Sequence, residues 1–197
     1  EKTQYAISGN YSDQKGIVIN SDFKRYSIRL NLDRKIFKNF SVGTHMTASH
    51  TISNSVATDT GGEDGTISGA LRMNPIQPVY EDELTGAYTQ INVPGILVPN
   101  PVATAKERKF NNATSRLLGD IYAQWEIIPD LKLKVSLGAD VMYHKTNRYT
   151  PSNIYQSGGV ASAYVGVNKS INWLNENTLT WNKTFAEEHD LSLLGGF

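Results

Sequence analysis

The side chains best suited to metal binding or acid–base catalysis are scattered through this chain of 197 residues. The four histidines stand at positions 45, 50, 144 and 189, and there is no cysteine. His45 and His50 are an odd number of residues apart, so within one strand they lie on opposite faces and cannot chelate one ion. No HExxH, CxxC, P-loop or GxGxxG motif occurs. The sequence therefore predicts that the protein is not an enzyme and needs no cofactor.

An acidic segment rich in glycine is the best candidate for a metal site. Asp59, Glu63 and Asp64 stand among glycines at positions 61, 62 and 65, and carboxylate oxygens are ligands that Ca²⁺ prefers. The spacing does not match an EF-hand, and acidic loops of this kind are usually solvated. We therefore predict no bound metal and keep a Ca²⁺ ion in this loop as the alternative.

The composition favours strands and turns and argues against nucleic acid as a partner. The chain has 19 Lys and Arg against 19 Asp and Glu, with no block of like charge to attract phosphates. It contains 17 Asn, 16 Ser and 16 Thr, and Thr suits strands whereas Asn and Ser suit turns. There is no run of 18 apolar residues, which excludes a transmembrane helix but not barrel strands.

Apolar and polar side chains alternate with a period of two in seven segments. Ile28 and Leu30 point to one face, for example, while Ser27 and Arg29 point to the other. Several segments reach 11 to 13 residues, which is long for a soluble domain but typical of strands that cross a membrane. The predicted strands span about residues 3–11, 22–32, 40–51, 115–127, 131–143, 171–185 and 190–197.

The connections between these segments are alternately short and long. Residues 33–39, 128–130 and 186–189 form short connections, whereas 12–21, 52–114 and 144–170 are long. In an up-and-down sheet, every second connection lies at the same end, so one end has tight turns and the other has loops. This asymmetry is typical of outer-membrane barrels. The alternative is a soluble β-sandwich, whose strands alternate in the same way.

The two faces predict different surroundings. The apolar face has aromatic residues towards the strand ends, as a surface against lipid would. The polar face holds both signs of charge, and we predict that it faces the lumen of a barrel. Its candidate lumen-facing residues are Arg25, Arg29, Asp120 and Glu126, together with Lys132 and Lys134.

The long segment 52–114 has apolar residues of its own, so it is predicted to be a packed outer loop. A short helix is expected over residues 66–73, where apolar side chains have helical spacing before Pro75. Tyr80, Tyr88 and Arg72 are the candidates for contact with a substrate or a partner, because aromatic faces suit apolar ligand surfaces. Alternatively, the two tyrosines pack within the loop.

Six short phrases resemble stretches of the SusC/RagA-type TonB-dependent outer-membrane transporters of Bacteroidetes. Each phrase is weak by itself, but their order and spacing cover almost the whole chain. The phrases are YSDQKGIV (11–18), NSDFKRY (20–26), ALRMNP (70–75), NPVA (100–103), YTPSN (149–153) and WLNENTL (173–179).

This resemblance implies an all-β fold, namely an antiparallel up-and-down segment of about seven strands from a larger transmembrane β-barrel. Plugged transporters have 22 strands, so residues 1–197 are expected to be an internal part of the barrel domain, without the plug domain. The implied function is import of oligosaccharides or peptides across the outer membrane of a Gram-negative bacterium, in contact with its lipid. The implied partners are a SusD-like surface lipoprotein and TonB, which acts on the plug. The alternative is a secreted β-sandwich that binds carbohydrate or mediates adhesion.

Overall fold

The computed structural model describes residues 3–57, 65–93, 96–154, 157–186 and 188–197. In these ranges seven long strands form one antiparallel sheet, and each strand pairs with its neighbour in that sheet. In chain order they are β1 (Thr3–Lys15), β2 (Asp22–Phe37), β3 (Phe40–Asn54), β8 (Lys109–Ile128), β9 (Leu131–Thr150), β10 (Ser162–Phe185) and β11 (His189–Gly196).

The smaller elements lie between β3 and β8. They comprise two short helices and two small hairpins, and the helix predicted over residues 66–73 is confirmed. In chain order they are α1 (Thr66–Arg72), β4 (Tyr80–Asp82), β5 (Ala87–Tyr88), β6 (Ile91–Val93), β7 (Ile96–Val98) and α2 (Pro101–Glu107). We call residues 65–93 and 96–108 the loop lobe.

Short turns join the long strands at one end of the sheet, which we call the turn end. Between β8 and β9 the turn is Pro129-Asp130, and Asp130 has a φ of 72°. Proline followed by a residue with positive φ is the pattern of a type II turn. The connections 16–21, 55–108 and 151–161 lie at the opposite end, the loop end. The alternation of short and long connections therefore follows from an up-and-down sheet.

The strands extend further towards the loop end than the sequence pattern indicated. β10 begins at Ser162 instead of residue 171, β9 continues to Thr150, and β8 begins at Lys109. The connection expected over 144–170 is consequently only 151–161. In these extensions the contrast between apolar and polar faces is weak, and pairing rests on backbone hydrogen bonds such as those that align Ser162 with Thr150.

The large sheet has no covering layer among the described residues. Ile28 and Ile171 on its apolar face are 56% and 57% exposed, whereas the inner face of a sandwich would bury such residues. The sandwich alternative is therefore not favoured. No helix in the described ranges is long and apolar enough to cross a membrane. Apart from Gly43 in β3, the buried residues of the described chain lie in connections at the loop end: Gly65, Thr66, Gly69, Thr89, Val98, Pro99, Asn100, Ala103, Thr104, Ala105 and Ile154.

Candidate functional site

The register places all four candidate lumen-facing residues on one face of the large sheet. Arg25 and Arg29 project from β2, and Asp120 and Glu126 project from β8 on the same side. The Nε atom of Arg29 donates a hydrogen bond of 3.3 Å to the hydroxyl oxygen of Thr47. We call this side the polar face. Whether it faces a lumen stays a prediction, but the four residues do share one surface.

Five side chains from four strands form a connected group on the polar face, which we call the polar cluster. Its members are Asp33, His45, Asp120, Tyr122 and Lys134. The imidazole of His45 lies between two carboxylates, with its Nδ1 atom 3.2 Å from Asp120 and its Nε2 atom 3.8 Å from Asp33. The hydroxyl of Tyr122 donates a hydrogen bond to Asp33. The ammonium of Lys134 lies 4.6 Å from the centre of the Tyr122 ring, a cation–π distance.

Gly43 is what allows the polar cluster to bridge three strands. In the register, Gly43 of β3 stands between Asp33 of β2 and Tyr122 of β8. A Cβ atom at this position would collide with the ring of Tyr122 and the carboxylate of Asp33. The tyrosine therefore lies across the glycine and reaches the second strand away, an arrangement in which an aromatic ring covers a glycine of a sheet.

A hollow of about 710 Å³ adjoins the polar cluster. It is lined by charged residues of both signs and by two leucines, Leu118 and Leu174. These leucines are apolar residues on the polar face and so depart from the alternation of apolar and polar side chains. Nearby, Arg116 donates two hydrogen bonds of 2.8 and 2.7 Å to Asp140. This forked geometry fixes both side chains. The polar face thus offers paired charges and hydrogen-bonding groups, which suits polar solutes or a protein surface.

His45 and His50 lie on opposite faces of β3, as their spacing predicts. His45 belongs to the polar face, whereas His50 lies on the opposite, apolar face, where its Nδ1 atom is 2.9 Å from the Ser115 hydroxyl. In the sequence, His45 has no acidic partner nearby, because its partner Asp120 belongs to a distant strand. Knowledge of the pairing between β3 and β8 would have been needed to find the polar cluster.

The apolar face has aromatic residues at two levels. Between Ser115 in the level near the loop end and Trp125 in the level near the turn end, β8 advances by ten residues. At about 3.4 Å per residue and a tilt of about 40°, Ser115 and Trp125 are about 26 Å apart along the barrel axis, close to the height of the apolar band of outer-membrane barrels. The loop-end row is Tyr11, Tyr26, His50, Ser115, Tyr143 and Lys169. The turn-end row is Phe40, Trp125, Leu133, Leu179 and Gly195.

Asn100 organises the loop lobe. It caps α2 by accepting hydrogen bonds from the backbone N–H groups of Val102 and Ala103, at 3.0 and 3.2 Å. Its amide also donates to the carbonyl oxygens of Val79 and Thr89, at 2.8 and 3.1 Å. One buried side chain therefore joins the helix to the β4–β5 hairpin. The connection 16–21 is joined to the same lobe by Asn20, whose amide donates to the carbonyl of residue 105.

The two candidate contact tyrosines pack against each other. The rings of Tyr80 and Tyr88 are 5.1 Å apart, and the Tyr88 hydroxyl donates a hydrogen bond of 2.8 Å to Glu107. Burial, followed by this carboxylate, raises the pKa of Tyr88 above its ordinary value of 10.0. Arg72 instead lies on the exposed end of α1. The structure thus brings the tyrosines together and keeps Arg72 on the lobe surface.

The candidate residues for Ca²⁺ lie outside the described part of the chain. Asp59, Glu63 and Asp64 belong to residues 58–64, so that alternative keeps its status as a prediction. Among the residues that are described, no group of three His, Asp or Glu side chains has a geometry that could hold a metal ion.

The known proteins with similar sequences are TonB-dependent receptors. No family model matches the chain. Over its whole length it is 36% identical to TonB-dependent receptor P3 of Formosa agariphila and spans 20% of that protein. It is 32% identical to the TonB-dependent receptor SusC of Bacteroides thetaiotaomicron over 69% of the chain and 15% of SusC.

Solved structures agree with these sequence relatives. The RagAB peptide importer in its closed-closed state matches 100% of the chain and 22% of its own chain, with a TM-score of 0.78 and 25% identity. The chain therefore spans about a fifth of the length of the proteins it matches. These relatives are receptors and transporters, not enzymes. By sequence and by fold, the chain belongs to the SusC/RagA family of TonB-dependent receptors and forms a segment of their transmembrane β-barrel.

Proposed function

We propose that the chain forms part of the barrel wall and outer loops of a TonB-dependent importer of oligosaccharides or peptides, in the outer membrane of a Gram-negative bacterium. The apolar face of the large sheet carries this proposal, because its Leu, Ile and Val side chains are exposed along a band that matches the thickness of a membrane. Lipid would cover this face, and backbone pairing between neighbouring strands would satisfy the N–H and C=O groups within it.

The polar face supports a path for large polar solutes. Arg25, Arg29, Asp120 and Glu126 place both signs of charge along it, beside the hollow described above. Paired charges such as Arg116 with Asp140 leave little net field, which suits neutral or zwitterionic oligomers better than a strongly charged solute. Sugar hydroxyls and peptide amides could both exchange hydrogen bonds with this surface.

The loop lobe supports a SusD-like lipoprotein as the partner at the loop end. Leu71, Ile76 and Leu84 are 84%, 83% and 98% exposed outside the predicted membrane band, and exposed apolar residues of this kind are typical of protein–protein contacts. Arg72 lies beside Leu71 and belongs to the same proposed surface. Tyr80 and Tyr88 support the internal scaffold of the lobe instead, because their rings and hydroxyls already have partners.

TonB is proposed as the energy source and would act through a plug domain elsewhere in the full-length protein. A deletion of the gene tests the transport proposal directly. We expect the deletion strain to lose growth on one class of oligomeric nutrient, either oligosaccharides or peptides, while growth on the monomers is unchanged. Expression of the full-length protein should restore growth. Unchanged growth and uptake on oligomers of both classes would contradict the proposal.

The partner proposal has its own experiment. Leu71→Asp together with Leu84→Asp should reduce recovery of the lipoprotein in pull-downs from detergent-solubilised membranes. The control is Asn172→Asp, which adds negative charge on the polar face of the sheet, away from the lobe. Equal recovery with the wild type and the double variant would show that the partner does not use this surface.

A further inference from the structure

The apolar face has a groove at its loop end that transport does not explain. The groove has a volume of about 890 Å³. Its low floor includes Gly9, Ala48 and Ser115, and larger side chains such as Tyr26 and Tyr143 line it. A Cβ atom at Gly9 would have only the Ser27 carbonyl oxygen near it, at 3.9 Å. The glycine thus leaves open space above the sheet.

The depth of the groove relates it to the proposed membrane boundary. Tyr11, Tyr26 and Tyr143 belong to the loop-end row, and tyrosine is the residue expected where hydrocarbon meets headgroups. Ile28 and Val141 lie one step closer to the middle of the sheet and line the same groove. The groove therefore begins at the headgroup level and continues into the hydrocarbon level, as an acyl chain does.

Positive charge lies next to this groove. Lys169 of β10 is directly opposite Tyr143 of β9, and Lys145 is two residues from Tyr143 on the same face. The two lysines are diagonal neighbours, about 7–8 Å apart at their Cα atoms. Lys109 lies further towards the loop end on this face. Among the described residues, the loop-end part of this face on β3, β8, β9 and β10 contains no carboxylate.

A lysine on the same face of β1 and β2 differs from Lys145 and Lys169 in having an acidic partner. On those strands, Lys24 is paired with Asp13 at 3.6 Å, so its charge is already compensated. Lys145 and Lys169 have three donors each, and the loop-end part of this face on β8, β9 and β10 has no carboxylate to pair with them. Their complement at the headgroup level is an anion, and the only part of the membrane that joins an anion to an apolar chain is an anionic lipid.

We propose that this face binds a phosphorylated lipid of the outer leaflet, with its phosphate on Lys145 and Lys169 and one acyl chain in the groove. The Tyr143 hydroxyl is placed to donate a hydrogen bond to the same phosphate. This inference rests on the proposed membrane location. Two other occupants could fill the same groove, namely a second copy of the protein and a neutral lipid. The experiment distinguishes both from the phosphorylated lipid.

The experiment uses the full-length protein in neutral detergent and native mass spectrometry. The probes are dioleoyl phosphatidic acid and dioleoylglycerol, which share acyl chains and differ in the phosphate. We expect one strongly retained phosphatidic acid and a preference of about tenfold or more over dioleoylglycerol, since each interfacial lysine attracts an anionic lipid. Lys145→Gln with Lys169→Gln should abolish the preference, and each single substitution should reduce it. Lys132→Gln removes a lysine from the polar face and should leave the preference for phosphatidic acid unchanged.

A second variant tests the groove separately from the charges. Gly9→Leu fills open space and should weaken both probes by a similar factor, so that the preference between them persists. Gly195→Leu is the matched control on the same face near the turn end, where a Cβ atom meets nothing within 4 Å. Equal binding of the two probes to the wild type would overturn the proposal, as would an unaltered preference in the double lysine variant or unaltered binding in Gly9→Leu.

The remaining outcomes are also distinguishable. A dimer mass that disappears in the lysine variant without any change in lipid retention would assign the groove to a second copy and overturn the lipid site. Each variant is first checked for the shift in gel mobility on heating that folded outer-membrane barrels show. If the wild-type protein itself fails that check, the membrane location fails, whereas a folded protein without lipid preference contradicts this inference alone.

Discussion

The large sheet and the loop lobe are stabilised in opposite ways. Ile121 in the sheet is 58% exposed, whereas Thr104 in the lobe is 1% exposed. The sheet has continuous backbone pairing, and its apolar side chains are not covered by any other described part of the chain. The lobe has short elements but a buried centre around Asn100, with Gly69 packed so closely that a Cβ atom there would be 3.1 Å from the Pro99 carbonyl oxygen. The lobe thus resembles a small water-soluble domain.

This difference shows which solvent each region is built for. In water, a protein must bury apolar surface in order to fold, and the lobe does so within itself. In a bilayer, hydrocarbon already surrounds the apolar face, so the requirement is that backbone groups be paired. Substitutions should therefore be damaging for different reasons in the two regions, and the predictions below use that difference.

The largest effect is expected from a charge on the apolar face. Leu137 lies near the middle of the band, between the two aromatic rows. Leu137→Arg should cost about 2–4 kcal/mol, the range for arginine on the lipid side at the bilayer midplane. We expect loss of the heat-modifiable, folded form of the full-length protein from outer-membrane fractions.

The neighbouring residue provides the matched control. Ser136 projects to the polar face, opposite Glu176 of β10. Ser136→Arg adds the same charge at the same depth and should leave the folded form abundant, because that side already holds charged groups. Similar loss in both variants would mean that the two faces do not differ in their surroundings.

The second effect concerns the lobe alone. Asn100→Ala removes the cap of α2 and the donor to the buried Thr89 carbonyl oxygen, whereas the Val79 carbonyl keeps the hydrogen bond from the Thr89 N–H. The expected cost is about 2–3 kcal/mol. Limited trypsin digestion should then cut the lobe near Lys106 and Arg108 faster, while the heat-modifiable barrel stays intact. Asn74→Ala, at an exposed turn with one bond of 3.2 Å to the Ile76 N–H, should change digestion little. Loss of the barrel in Asn100→Ala would show that the two regions do not fold separately.

The third prediction tests the polar cluster, where the sheet depends on side chains. Gly43→Ala would place a methyl group against the Tyr122 ring and the Asp33 carboxylate, and overpacking of this kind costs about 1–3 kcal/mol. Tyr122→Ala removes the ring and should relieve part of that cost. In urea unfolding of the protein in micelles, the double variant should be more stable than the sum of the single effects predicts, by about 1 kcal/mol. Additive effects would show that glycine and ring do not interact.

Alternation predicted the sheet well, because the pleat of a strand forces period two on any sequence with two different surroundings. It identified the strands, both faces and the shared side of Arg25 and Asp120. The extension of β10 to Ser162 was missed, since a strand outside the membrane needs no apolar face. The contact of His45 with Asp120 was missed too, because β3 and β8 are separated by the whole of connection 55–108. Sequence spacing carries no information on such pairing.

The position of Asn100 shows the same limit in the lobe. Asparagine before proline indicates a helix start, which is a local property. Its bonds to Val79 and Thr89 depend instead on how the β4–β5 hairpin folds back onto α2. The sequence likewise offered Tyr80 and Tyr88 as contact residues or as packing residues, and only their mutual geometry favours packing.

The smallest expected effect is the titration of Tyr88. Its pKa is raised above 10.0, first by burial and then by the Glu107 carboxylate that accepts its hydroxyl hydrogen bond. A raised pKa means that the contribution of Tyr88 to lobe stability is complete below pH 10 and is lost as the pH rises further. The difference in tyrosinate absorbance between the wild type and Tyr88→Phe should therefore show one tyrosine that ionises only above its ordinary range.

Glu107→Gln separates the two causes of that shift. Glutamine still accepts the hydrogen bond but removes the negative charge, so the pKa of Tyr88 should fall. Because burial, the largest single cause of the shift, is unchanged in this variant, the pKa should nevertheless stay above that of an exposed tyrosine. Glu126→Gln on the polar face provides a control for loss of one carboxylate in the sheet. A return of Tyr88 to its ordinary pKa in Glu107→Gln would mean that the carboxylate dominates and that the lobe is wetter than its packing indicates, which would weaken the contrast between lobe and sheet.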